Sequence, residues 1–224
     1  MGLVNAEGKV TGNLLNVAGA TSGIFQAGAA INVILTAIVL DRFGRKAGIY
    51  YNAVIGLFGG ALIVGSINIS MFLAGRFFAG MSSFGFLTMT PVYTTELSPP
   101  KQRGFFVGLN AVFIGTGYSL AAWLGVAFSY ADKPATQWRG PLGMYLIWPS
   151  LLIIIAFFSP ESPRWLMMQG RDEEAREVIF KLHTVKGDEG LASWEYNEIQ
   201  KQTVIDKTLE TSWVSRLRSL WETY

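Results

Sequence analysis

Apolar and small residues run almost unbroken through five stretches of this chain, at about 19–40, 47–67, 70–95, 104–130 and 141–159. None carries the polar face at 3.6-residue spacing that marks a surface helix of a water-soluble protein. Each is close to or above the roughly 20 residues that a helix needs to cross a hydrocarbon layer about 30 Å thick. The pattern predicts five transmembrane helices within 19–159, preceded by a short polar segment at 1–18. Beyond Pro160 the pattern changes. Ala175, Val178, Ile179 and Leu182 fall at i, i+3, i+4 and i+7 behind the acidic start Asp172-Glu173-Glu174, where a helix dipole favours anions. Leu209, Trp213, Leu217 and Leu220 make a second stripe, and 186–202 between them is predicted helical. Residues 160–224 therefore read as a small helical domain outside the bilayer, with the lone His183 exposed on it.

Charge sets the orientation. Half of the residues are hydrophobic and 15% are charged, against about 25% charged in soluble domains. Residues 1–159 hold four acids and nine bases, whereas 160–224 hold twelve acids and nine bases. The corner Asp41-Arg42-Phe43-Gly44-Arg45-Lys46 lies between two stretches, 10–40 and 47–75, without a charged side chain. Loops 41–46 and 96–104 and the start of the tail carry Arg42, Arg45, Lys46, Lys101, Arg103, Arg164 and Arg171; the opposite side carries Lys9, Lys133 and Arg139. Lys and Arg are retained in the cytoplasm, so these loops and 160–224 are expected there and 1–18 outside. An outside start without a signal peptide predicts a further helix ahead of residue 19.

The same inventory excludes several chemistries. There is no cysteine, hence no disulfide or thiol chemistry. Cations interleaved with exposed aromatics, the mark of a nucleic-acid surface, do not occur. Gly115-Thr116-Gly117 lies mid-span with no strand before it, so it is no phosphate loop. No metal-ligand cluster or nucleophile–base pair is present, and neither a cofactor, a metal nor an enzymatic activity is expected. The lipid bilayer is the partner that composition requires.

Some charges and small residues call for an account. Arg76 lies six residues into a span, where an unpartnered arginine costs at least about 2.5 kcal/mol, and no span contains an acid. Its counter-charge is expected on a helix outside this chain. Glu96 and Arg103 flank the turn Leu97-Ser98-Pro99-Pro100, and Glu161 and Arg164 sit in Pro160-Glu161-Ser162-Pro163-Arg164-Trp165-Leu166. With Arg42 and Arg45 they put matched charges at three helix ends on one membrane face, the makings of a latch between conformations. Glycines at 56, 59, 60, 65, 75, 80, 85, 104, 108, 115 and 117 suit close helix packing, and Pro91 and Pro149 are expected to kink or locally unwind their helices. The triplet Asn68-Ile69-Ser70 fits a glycosylation acceptor but sits in a turn too near the membrane to be modified.

Four motifs in order carry a resemblance: Asp41-Arg42-x-Gly44-Arg45-Lys46, Gly75-Arg76-x-x-x-Gly80, Pro91-x-Tyr93-x-x-Glu96-x-x-Pro99-x-x-x-Arg103-Gly104, and Pro160 to Leu166 as written above. Together they resemble the sugar porter family of the major facilitator superfamily, in its fungal branch. The resemblance implies an all-α membrane protein, the N-terminal half of a major facilitator without its first helix. Its five transmembrane helices would be followed by a cytosolic helical segment. It implies transport of a sugar or related polyhydroxy solute by alternating access, in the plasma membrane, with protons as a candidate symported partner. Arg42, Arg45, Glu96, Arg103, Glu161 and Arg164 would form the cytosolic gate network, and Arg76 would serve proton coupling opposite an acid on the absent first helix. The family places a sugar-binding glutamine eight residues after the arginine matching Arg103; here that position is Ala111, which cannot bind a hydroxyl. Asn110, Tyr118 and Gln26 are the candidate replacements for substrate binding. Five helices do not enclose a two-sided pathway, so uptake by this chain alone is not expected. The alternative is a non-transporting remnant or regulatory membrane protein derived from such a transporter.

Overall fold

The computed structural model describes residues 12–184 and 190–223, except the side chains of 12–15, 183, 207 and 209–223. Residues 1–11, the side chain of His183 and the stripe Leu209, Trp213, Leu217 and Leu220 lie outside that description. Helices and their connections make up the described residues, with no strand among them. They fall into two compact units. One contains the chain up to Val92 together with Gly104–Ser159, and the other Tyr93–Arg103 with Pro160–Tyr224.

The first unit contains α1 (Gly12–Phe43), α2 (Arg45–Val64), most of α3 (Ile69–Leu97), α4 (Arg103–Ser129), α5 (Pro134–Met144) and α6 (Ile147–Phe158). Among the described residues, five helical segments, Asn16–Phe43, Arg45–Val64, Ile69–Leu97, Pro100–Ser129 and Pro134–Phe158, are long and apolar enough to cross a membrane. This is an all-α, multi-pass membrane protein. The expected loop at 41–46 contracts to one residue. Gly44 has φ 97° and separates α1 from α2, a conformation that a side chain resists. Asn68 caps α3 through the Met71 N–H at 2.8 Å, which is the ordinary work of Asn before a helix.

The last span unwinds locally ahead of Pro149. Tyr145 and Leu146 separate α5 from α6, and their N–H groups donate to Leu142 and Gly143 at 3.3 and 3.0 Å, in the tighter i−3 pattern. Pro149 explains the position, because it has no N–H for the carbonyl four residues back and its ring crowds that carbonyl. Pro91, in contrast, lies within a continuous α3.

Three helices meet on a buried polar core. Asn52 of α2 accepts from Asn32 Nδ2 at 2.7 Å and from Thr36 Oγ1 at 3.2 Å, both on α1. Its amide donates to the Gly48 carbonyl at 3.0 Å and to Met89 Sδ at 3.6 Å, and its own backbone carbonyl accepts from Ser82 Oγ at 2.8 Å. Asn32 also donates to the Met81 carbonyl at 2.7 Å and accepts from Tyr51 at 2.9 Å. Asn32, Thr36, Asn52 and Ser82 are fully buried. Hydrocarbon offers such groups no substitute partner, so each must be satisfied between helices.

The second unit packs α7 (Pro163–Met168), α8 (Asp172–His183) and the start of α9 (Gly190–Thr223) around Leu166, Met167, Ala175, Ile179, Ala192 and Ile199. Ser162 caps α7 at the Trp165 N–H, 3.3 Å away, with Pro163 in the first turn. Gly170, at φ 75°, ends it. Of the stripe expected on α8, Ala175 and Ile179 are buried and Val178 partly so, but Leu182 is 40% exposed because the stripe outruns its partner helices. Arg171 grips Glu174 through two hydrogen bonds of 2.7 and 2.6 Å, which hold the Glu174 carboxyl below its ordinary range.

Gly85 sits against this polar core. A Cβ there would lie 1.9 Å from Asn52 Oδ1 and 2.6 Å from Asn32 Nδ2. Gly85→Ala should therefore destabilise the protein by about 1–3 kcal/mol, by overpacking and by displacing buried hydrogen bonds. Thermal unfolding of the detergent-solubilised chain measures this; Gly104→Ala, with nothing within 4 Å of its Cβ position, is the control expected to stay near wild type.

Candidate functional site

Within the spans, the structure places Arg76 half-buried on α3 with its guanidinium over the Phe25 ring of α1, 4.7 Å from the centroid. Its Nε is buried without a hydrogen-bond partner, and no carboxylate pairs with it among the described residues. Within this chain the guanidinium is met by a π face, while the acid expected for it belongs to a helix outside the chain.

The candidate substrate residues separate. Asn110 lines a cleft of about 340 Å³ between α3 and α4, with Ser83, Phe86, Leu87, Thr90, Phe113 and Ile114 among its neighbours. Its Nδ2 makes one long bond, 3.5 Å, to the Phe106 carbonyl. Tyr118 is 76% exposed on α4, and Gln26 is exposed on α1; neither lines that cleft. Ala111, where the resemblance led one to expect a glutamine, is exposed as well. The α4 helix as a whole has no buried residue among those described.

The charges proposed for the gate fall in both units. In the first, Arg42 lies 5.9 Å from the Phe43 ring centroid. Arg45 donates to the Leu40 carbonyl at 3.0 Å and stands 4.0 Å from Asp41. Lys46 reaches the Phe157 carbonyl at 3.4 Å. In the second, Glu96, Arg103 and Arg164 line one cavity of about 440 Å³ together with Trp194, Glu195 and Glu198. Arg103 Nη2 meets Glu195 Oε1 at 2.7 Å, with Glu195 buried and Arg103 41% exposed, and its Nε donates to the Ser98 carbonyl at 3.2 Å. Arg164 donates to Gln202, Glu161 accepts from the Ser162 N–H at 2.9 Å, and the Tyr93 hydroxyl donates to the Pro160 carbonyl at 2.6 Å.

Sequence reasoning missed Glu195 as the acid facing Arg103. The signal was present: Glu195 lies three residues after Ala192 and four before Ile199, both buried, so it occupies an apolar face where an acid is seldom found without a cation. Phe25 carried no such signal among its apolar neighbours, and Asn32 and Asn52 were visible as amides within spans but not as partners of each other.

The family model for "Sugar (and other) transporter" matches residues 7–223, and the chain belongs to that family. The MFS-type transporter criB of Aspergillus cristatus is 33% identical over 193 residues, covering 86% of this chain and 41% of that protein. The proton myo-inositol cotransporter of Homo sapiens is 35% identical over 156 residues, 69% of this chain and 24% of the relative. Among solved structures, the proton:xylose symporter XylE bound to 6-bromo-6-deoxy-D-glucose superposes with a TM-score of 0.80 over 92% of this chain and 47% of its own, at 22% identity. That likeness shows the fold. The chain spans less than half the length of these relatives.

The geometry at Arg103 predicts an asymmetry. Glu195→Ala leaves a partly exposed guanidinium that can turn to water, whereas Arg103→Ala takes the cation from a buried carboxylate, which water reaches poorly. Arg103→Ala should cost about 2 kcal/mol or more and Glu195→Ala less, read as the susceptibility of 160–224 to limited proteolysis in the intact chain.

Proposed function

We propose that this chain is the solute-carrying N-terminal part of a secondary transporter for a sugar or related polyhydroxy compound, working by alternating access in the plasma membrane. The observation that carries the reading is the family match across 7–223, on a fold of membrane-length helices. A relative described as a myo-inositol carrier supports a polyhydroxylated ring as the solute, and its description as a proton cotransporter supports protons as the coupled ion. Asn110 supplies the polar contact in the α3–α4 cleft, with Tyr118 and Gln26 contributing from surfaces that a second half would cover. Arg76 serves proton coupling. Arg42, Arg45, Glu96, Arg103, Glu161 and Arg164 act as the cytosolic gate, with 160–224 on that side and 1–18 outside.

Uptake of labelled glucose and myo-inositol in a cell without its own carriers tests the reading. The chain is expressed alone and fused to the second half of the Aspergillus cristatus relative, since it matches 41% of that protein. Saturable uptake by the fusion, reduced about tenfold or more by Asn110→Ala at equal surface expression, is the expected result. Absence of uptake in both forms would leave a non-transporting membrane protein as the function.

The gate makes a separate prediction. Exposed ion pairs in a network contribute on the order of 1 kcal/mol, so Glu161→Ala should change the ratio of inward- to outward-open states about fivefold. The chain has no cysteine, and a single cysteine introduced on either face reports that ratio by its labelling rate. Equal labelling of wild type and variant on both faces would remove Glu161 from the gate.

A further inference from the structure

Arg76 and Gly80 lie four residues apart, on one face of α3, and both meet the same residue of α1. A Cβ on Gly80 would stand 2.1 Å from the carbonyl oxygen of Phe25 and 3.1 Å from its Cα. The backbones of α1 and α3 therefore touch at this point, and only a glycine permits it. The contact is made again one turn along α1, where a Cβ on Gly28 would lie 2.2 Å from the Phe77 carbonyl. The approach fixes where the Phe25 side chain goes. Its ring lies 4.7 Å from the Arg76 guanidinium and makes an edge contact with Phe84, with centroids 6.2 Å apart.

We propose that Phe25 is a positioning residue for Arg76: Gly80 seats Phe25, and the π face of Phe25 holds the guanidinium, in its charged form, inside the membrane. Arg76-x-x-x-Gly80 is then one device, while Gly75 packs α3 against α2 at Ile63. The cation–π contact suits this location because it gains strength where water is scarce and requires no second charge to be buried. It also fixes the arginine without consuming it. An aromatic ring offers no proton acceptor, so the guanidinium keeps its full charge for any carboxylate that meets it during transport. The proposal extends the coupling role given to Arg76 above, but its test does not depend on transport.

The test is a fluorination series. Phe25 is replaced in the full chain by mono-, di- and trifluorophenylalanine, which withdraw electron density from the ring face with little change in shape. The melting temperature of the purified protein is followed by tryptophan fluorescence. It should fall stepwise with each fluorine, by a few degrees across the series on the order expected for one such contact. The slope should vanish in Arg76→Met and in Gly80→Ala, where no cation is present or the ring is displaced. Phe25→Tyr should retain the wild-type melting temperature and Phe25→Leu should lose it. A flat series in the wild-type background, or the same slope with and without Arg76, overturns the proposal while leaving the transport reading untouched. An undiminished slope in Gly80→Ala overturns the part assigned to Gly80. Failure of the fused protein to take up any solute, with the slope intact, would overturn the transport reading alone.

Discussion

Inside a bilayer the carboxamide of Asn52 has no water to turn to, and the arrangement of the first three helices follows from where it finds its partners. One side chain binds α1 through Asn32 and Thr36 and reaches α3 through Met89, while the carbonyl behind it accepts from Ser82. Such bonds are individually modest, averaging about 0.6 kcal/mol in membrane proteins, because partners are also available in the unassembled state. Their effect is on register. A shift of α1 along α2 by one turn would leave several buried polar groups unmatched at once, and hydrocarbon penalises each of them. Close approach at Gly85 is the condition for the bonds to be short, so the glycine and the asparagines act as one feature.

Two arginines, one in each unit, show how solvent selects a partner. Arg76, in the hydrocarbon, rests on an aromatic face; Arg103, outside the first unit, meets a carboxylate. A buried acid beside Arg76 would bring its own desolvation cost into the least forgiving medium in the cell. A ring costs nothing to bury. Beside Arg103 the balance differs, because the arginine is partly wet and only the carboxylate gives up water. The same side chain is thus held by quadrupole in one unit and by charge in the other.

What could be read from the sequence follows the same division. Membrane-length helices were legible because an apolar run of 20 residues or more has one stable solution in lipid. The corner at Gly44 was legible as a corner, though as a loop of six residues where the structure uses one, since a left-handed glycine lets both helices run up to it. Faces within the spans were not legible. Periodicity reveals a buried face only when the opposite face is wet, so nothing distinguished Phe25 from its apolar neighbours on α1; Asn32 and Asn52 stand out as amides within spans, but the partners they find do not. In 160–224, where water is present, the stripe on α8 pointed correctly to Ala175 and Ile179, and Glu195 was findable as an acid among buried positions. The break at Tyr145–Leu146 was displaced from its cause, because a proline disrupts the turn before it.

Composition also could not separate two uses of glycine. Those on α2 and α3 let backbones touch: Gly59 would meet Ala79 N at 2.7 Å, and Gly75 would meet Ile63 N at 2.9 Å. Those on α4 do not. Gly104, Gly108, Gly115, Gly117 and Gly125 have nothing within 4 Å among the described residues, while Val112, Phe113, Tyr118 and Trp123 on the same helix are exposed. Glycine weakens a helix by roughly 0.5–1 kcal/mol relative to alanine, and five in one helix is a sizeable cost with no packing return among the described residues. On α2 and α3 the cost is offset by contacts that only glycine allows. The helix that bears Asn110 carries the same cost with that return absent, so packing within the unit accounts for the small residues of α2 and α3 and does not account for those of α4.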